Sequence, residues 1–142
     1  MTPIKPPTWF WVLAIVGLIW NILGILSFIM HITISPETLG AMPEQERALY
    51  TGFPTWVLVT FCIAVFGSTI ANILLLLRNA IATPLFVTSF IAILLQMVYT
   101  IFISNAIAVH GPAALGVPTL VVIFGAVLLW LSSTAKSRGW IS

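Results

Sequence analysis

Four stretches of this chain, Trp9–Met30, Thr55–Leu77, Pro84–Ser104 and Pro118–Ser133, contain no Asp, Glu, Lys or Arg at all. Crossing a hydrocarbon core takes about 20 apolar helical residues, because in lipid the backbone must satisfy its own hydrogen bonds. Three of the runs reach that length. The fourth is the shortest and needs the interface or a thinner bilayer to complete its span. The first follows Lys5, as a signal peptide would, but its apolar run exceeds the 7–15 residues typical of such leaders and no A-x-A-like site follows. It is read as a retained helix. The fold class expected is an all-α integral membrane four-helix bundle, a single domain over 1–142 with a connecting loop at 31–54.

Composition supports the same solvent. The chain is 61% hydrophobic and 6% charged, against roughly 25% charged in an ordinary soluble domain. So few charges cannot cover a water-facing surface. The net charge of +2 is too small and too scattered for a nucleic-acid partner. The lone Cys62 lies inside an apolar run and reads as a packing residue.

The basic residues then set an orientation. Lys5, Arg78, Lys136 and Arg138 share one side of a four-span topology, and Arg47 alone is on the other. The positive-inside rule puts both termini in the cytoplasm. All three acids, Glu37, Glu44 and Glu46, fall with Arg47 in 35-SPETLGAMPEQERALYTGFPTW-56, which this topology places outside. Ser35-Pro36-Glu37 offers a cap, a proline and an acid for a helix start, and Pro43-Glu44 repeats the pattern. A short outer interfacial helix is expected here, with Glu44 facing Arg47 and with Met42, Leu49 and Tyr50 toward the membrane. It serves as a surface cap or as a lid over a cavity. Elsewhere, Thr83-Pro84 is expected to start the third helix and Asn79 to end the second in a left-handed conformation.

Small and polar residues mark the faces on which membrane helices meet. They are Gly17, Asn21, Gly24 and His31 on the first helix; Thr60, Ala64, Ser68 and Ala71, flanked by Gly67 and Asn72, in the second span; and Ser89, Ala92, Gln96 and Thr100 in the third. The last span offers Gly125, Ala126 and Ser132. Asn21 and Gln96 fall at similar depth and are expected to meet. They act either as interhelical glue or, with Trp20 and Tyr99, as the lining of a polar cavity suited to a neutral hydroxylated ligand. No ionisable group lies deep in a span, which disfavours proton-coupled antiport. His31 and His110 lie at the same boundary as the acids but lack metal-ligand spacing. No nucleophile elbow, phosphate loop or CxxC pair is present, so neither enzymatic activity nor a cofactor is expected.

Taken together, 20-WN-21, 44-EQERALY-50, 64-AVFG-67, 84-PLFVTSF-90, 96-QMVYTIFIS-104, 111-GP-112 and 138-RGW-140 resemble a family of small bacterial four-helix membrane proteins that commonly carry the name "sugar transporter". The resemblance implies a bacterial inner membrane and raises the expectation of transport; it carries no site residue over. Two functions are therefore expected: a small-solute, sugar-like transporter acting as an oligomer, or a non-transporting accessory or scaffold subunit of a membrane complex. The expected partners are the lipid bilayer and either a second copy or a complex subunit.

Overall fold

Prolines set most of the helix starts. The computed structural model describes residues 4–104 and 106–142. Helix α1 (Thr8–Ile32) follows Pro7, α2 (Pro36–Ala41) begins on Pro36, α3 (Glu44–Thr51) follows Pro43 and α4 (Thr55–Leu76) follows Pro54. A proline there loses nothing, because the first amides of a helix have no intrahelical acceptor. Helix α5 (Ala82–Val98) continues as a π-helical turn over Tyr99–Ile103. A short α6 (Ala106–His110) and a 3-10 turn (Gly111–Leu115) lead into α7 (Gly116–Ser137). Four helices are long and apolar enough to cross a membrane, and no strand occurs among the described residues.

The last span is longer than hydropathy suggests. Helix α7 has 22 residues, about 33 Å at 1.5 Å per residue, so it needs no thinned bilayer. Its final turns carry Ser132, Ser133, Thr134 and Lys136, which are polar but still helical; the Ser132 hydroxyl folds back onto the Leu129 carbonyl. Apolar patterning marks where the chain leaves hydrocarbon, not where the helix stops.

Ile4, the C-terminal residues and the α4–α5 turn meet at one end of the bundle. Helix α4 ends with Arg78 at φ 61°, where Arg78 N donates to Leu75 O and Asn79 N to Leu74 O. Helix α7 ends the same way around Gly139 at φ 76°, with Trp140 N donating to Ala135 O. Both are Schellman terminations. The left-handed residue of α4 is thus Arg78 and not Asn79, whose side chain instead accepts from the Ile81 amide. Arg78 gains acceptors in exchange: its guanidinium donates to Trp140 O at 2.9 Å and Ile4 O at 2.8 Å. Ile4 N donates to Gly139 O, and Ser142 N to Arg78 O. Thr83 is likewise not a cap. Helix α5 already begins at Ala82, and the Thr83 hydroxyl reaches toward Ser132 O.

Helix α4 packs closely on α1 and α5, α5 packs on α7, and α1 and α7 touch only thinly. The small residues make the close contacts. A Cβ on Gly67 would lie 2.5 Å from Ser89 Oγ, and one on Gly125 would lie 3.0 Å from the Phe90 ring. With lipid outside, such van der Waals fit replaces the hydrophobic drive of a soluble core. Toward the terminal end the centre is filled by Phe10, Leu75, Phe86, Leu128, Leu131 and Trp140.

At the opposite end, the acidic segment forms two short helices and not one. Ser35 Oγ caps α2 by accepting from Thr38 N. Arg47 does not pair with Glu44: it donates to Leu39 O at 2.9 Å and Met42 O at 3.1 Å, capping the C-terminus of α2. The carbonyls at a helix end lack intrahelical donors and carry the negative end of its dipole, so they attract a guanidinium, while an exposed pair with Glu44 would add little. Helix α3 lies on the bundle rim through Tyr50, stacked on His31 at 5.1 Å, while Phe53 approaches His31 to 4.5 Å.

Candidate functional site

The middle of the bundle is not filled. A half-enclosed cavity of about 440 Å³ lies there, lined from α1, α4, α5 and α7 together. That volume is in the range of small-molecule sites, which run from about 300 to 1,000 Å³. Its floor is the apolar plug of Phe86 and Leu128, each 3% exposed. Its walls are mostly aromatic and aliphatic: Trp20 stacks on Phe124 across α1 and α7 with centroids 4.3 Å apart, and Phe61 and Phe90 line the α4 and α5 sides.

Polar groups enter this lining at two levels. The inner level is Asn21 with Ser68. Asn21 Nδ2 donates to Ser68 O at 3.2 Å and to Asn72 Oδ1 at 3.4 Å, while Asn72 Nδ2 donates to Ala14 O at 2.8 Å. One face of Asn21 is therefore fixed against α4. No described residue donates to Asn21 Oδ1 or bonds the Ser68 hydroxyl, and both residues line the cavity. The outer level is Gln96 with Ser27 and Thr100. The Gln96 side chain makes no hydrogen bond to a described residue and is half-buried. The sole buried side-chain polar atom left unpartnered away from the cavity surface, among the described residues, is Ser89 Oγ.

Asn21 and Gln96 therefore share the cavity without touching. Ser68 and the adjacent Gly67 sit at the level of Ser89, and Gln96 lies seven residues farther along α5, about 10 Å at 1.5 Å per residue. Equal distances from the helix starts mislead because α1 begins farther out at the terminal end: Ala14 is already level with Asn72, four residues inside the α4 end. The missed partner is Asn72, fully buried on α4. Its place beside the Ser68 stripe was the available signal.

Of the four residues expected to line a site, Trp20, Asn21 and Gln96 face the cavity and Tyr99 does not. Tyr99 lies about 60° round the helix from Gln96 by the 3.6-residue period, which turns it toward the start of α4. There it packs edge-on to Phe53 at 5.5 Å and Trp56 at 5.8 Å. It borders a separate cleft with Leu49 and Ala108.

The acidic segment stands apart from the cavity. None of the described residues 33–54 lines it. Met42 and Leu49 are half-buried on the rim and Glu44 points to solvent, the arrangement of a cap. Glu46 lies 3.7 Å from His110 Nδ1, with both side chains about two-fifths exposed. No group of three or more His, Cys, Asp or Glu that could hold a metal forms among the described residues.

Comparison with known proteins finds no matching family model, no similar curated protein and no similar solved structure.

Proposed function

We propose that this chain is a multi-pass protein of a bacterial inner membrane, with both termini cytoplasmic, that binds a neutral small solute in its central cavity and carries it across the bilayer as an oligomer. One observation supports the reading above others. Asn21, Ser68 and Gln96 present unspent hydrogen-bonding groups to a cavity enclosed by all four long helices. Polar groups are costly at that depth unless something pairs with them. No acidic, basic or histidine side chain lines the cavity, so the complementary solute is uncharged. Access is from one side, because the plug of Phe86 and Leu128 closes the terminal end.

Uptake of radiolabelled neutral solutes into proteoliposomes tests the proposal. Val121 lines the cavity, and Val121→Trp would fill it. The expected result is uptake of at least one solute above protein-free liposomes, abolished by Val121→Trp with unchanged helicity and melting temperature. Uptake equal to protein-free liposomes for every solute, in both proteins, would favour the accessory-subunit reading instead.

A further inference from the structure

We infer that the ligand of this cavity is a neutral amphiphile, an apolar body with one hydrogen-bonding head, that enters sideways from the bilayer between α1 and α7. The inference rests on the reading of the cavity as a solute site and goes on to name the solute's class and route.

The class follows from how the polar groups are distributed. They sit at two levels separated by about 10 Å of helix, with Asn21 and Ser68 inside and Gln96 nearer the mouth. Between those levels the wall is aliphatic, with Ala64, Ile93 and Val121, while the Trp20–Phe124 stack flanks the inner level. A polyol lying in this shaft would press hydroxyls against aliphatic side chains and leave them without partners, losing the hydrogen bonds it made in water. A flat or chain-like apolar body fits the same wall, and its head finds an acceptor in Asn21 Oδ1 and a donor and acceptor in the Ser68 hydroxyl.

The route follows from where the wall is thin. The α4–α5 side is closed by Gly67 against Ser89, and the floor by Leu128. Helices α1 and α7 barely touch, and the cavity residues on that side are open: Leu23 is 54% exposed and Val117 66% exposed. Leu23 lies seven residues inside the apolar run that ends at Met30, about 10 Å along the helix. The mouth therefore faces hydrocarbon, with the Trp20–Phe124 stack as its inner edge.

The test uses a long-chain fatty alcohol with a mid-chain diazirine, added to the full chain in proteoliposomes and photolysed, with the labelled peptides mapped. Labelling is expected on the peptides carrying Trp20, Gln96 and Phe124. It should be displaced by excess unlabelled alcohol but not by glucose, and Val121→Trp should reduce it to the level of outward-facing residues such as Ile15 and Ile22. A second variant, Ser68→Ala, keeps the backbone carbonyl that Asn21 bonds and spares the Asn21–Asn72 pair, and should weaken the labelling, because the head loses its hydroxyl partner at the inner level. Labelling confined to outward-facing residues, unchanged by Val121→Trp, would overturn the amphiphile while solute uptake decides the cavity separately. Protection of the cavity by glucose would overturn the class and leave the cavity a solute site. Labelling of the Trp20 and Phe124 peptides unchanged in Ser68→Ala would overturn the assignment of the head to the inner level.

Discussion

Asn72 is the hinge-pin of the α1–α4 interface: it accepts from Asn21 through Oδ1 and donates to the Ala14 carbonyl through Nδ2, 2.8 Å away. Removing it leaves Asn21 half-satisfied and Ala14 without its interhelical donor. Interhelical hydrogen bonds in membranes are worth about 0.6–1.7 kcal/mol each. Asn72→Ala is therefore expected to cost about 1–3 kcal/mol in detergent unfolding. Gln96→Leu, which breaks no bond within the bundle, should stay within about 0.5 kcal/mol. Equal losses from the two would mean that Gln96 has a structural partner.

The glycine contacts predict unequal responses to one added methyl. On Gly17, a Cβ would come within 2.6 Å of Leu128 Cδ2 and 2.9 Å of Asn72 Oδ1. Gly17→Ala thus disturbs both the plug and the amide pair, and overpacking of this kind costs about 1–3 kcal/mol. Gly67→Ala meets only the Ser89 hydroxyl, which has no hydrogen-bond partner. Ser89→Ala should be neutral or stabilising, since it removes an unpaired buried polar atom. On that background Gly67→Ala should cost less than it does alone, and a double-mutant cycle of melting temperatures reads the difference.

Arg78 combines an unfavourable backbone with two favourable side-chain bonds, and substitutions separate them. A non-glycine residue in the left-handed region costs about 1–2 kcal/mol. Arg78→Gly relieves that cost but loses the bonds to Trp140 O and Ile4 O; Arg78→Ala loses the bonds and keeps the cost. The expected order of stability is wild type, then Gly, then Ala. Faster amide exchange at Ile4 in both variants would accompany it, and Ala as stable as Gly would contradict the order.

In the acidic segment, stability should depend on the single cation more than on the carboxylates. Glu44→Gln with Glu46→Gln is expected to change stability by less than about 1 kcal/mol, as for exposed ion pairs. Arg47→Ala removes the cap on Leu39 O and Met42 O and should unravel α2, increasing proteolysis between Pro36 and Met42.

Orientation is checked by cysteine labelling in intact cells, with Cys62→Ala as background. An impermeant maleimide is expected to modify Gln45→Cys and spare Ser137→Cys. The reverse pattern would invert the topology and move the acidic segment to the cytoplasmic face.

Much of the fold was legible because lipid imposes uniform rules: uncharged runs gave the spans, and small residues gave most of the inward faces, Ala126 on the last span being exposed instead. Gly17, Asn21, Ala64, Ser68, Ala71, Ser89 and Ala92 are all buried. What the sequence does not encode locally is the axial offset between helices. Each run gives depth along its own axis, so Asn21 and Gln96 looked level although α1 starts farther out than α4 ends. Three other departures share a cause. Arg47, Arg78 and Thr83 each bond to backbone carbonyls brought near by tertiary packing, and no spacing rule along one segment foresees them. Tyr99 shows the limit of a helical wheel, where a residue at the boundary of two faces is assigned by its neighbours' size.

The knot of Arg78, Ile4, Trp140 and Ser142 makes the bundle mechanically lopsided. At that end three chain segments are riveted together; at the other, α1 and α7 share little more than a ring stack. A load that splays such a body is expected to widen the mouth before it strains the floor. Under the proposed carrier reading, passage through the floor requires that rivet to give, and the slow step of the cycle falls at Arg78, far from the cavity lining.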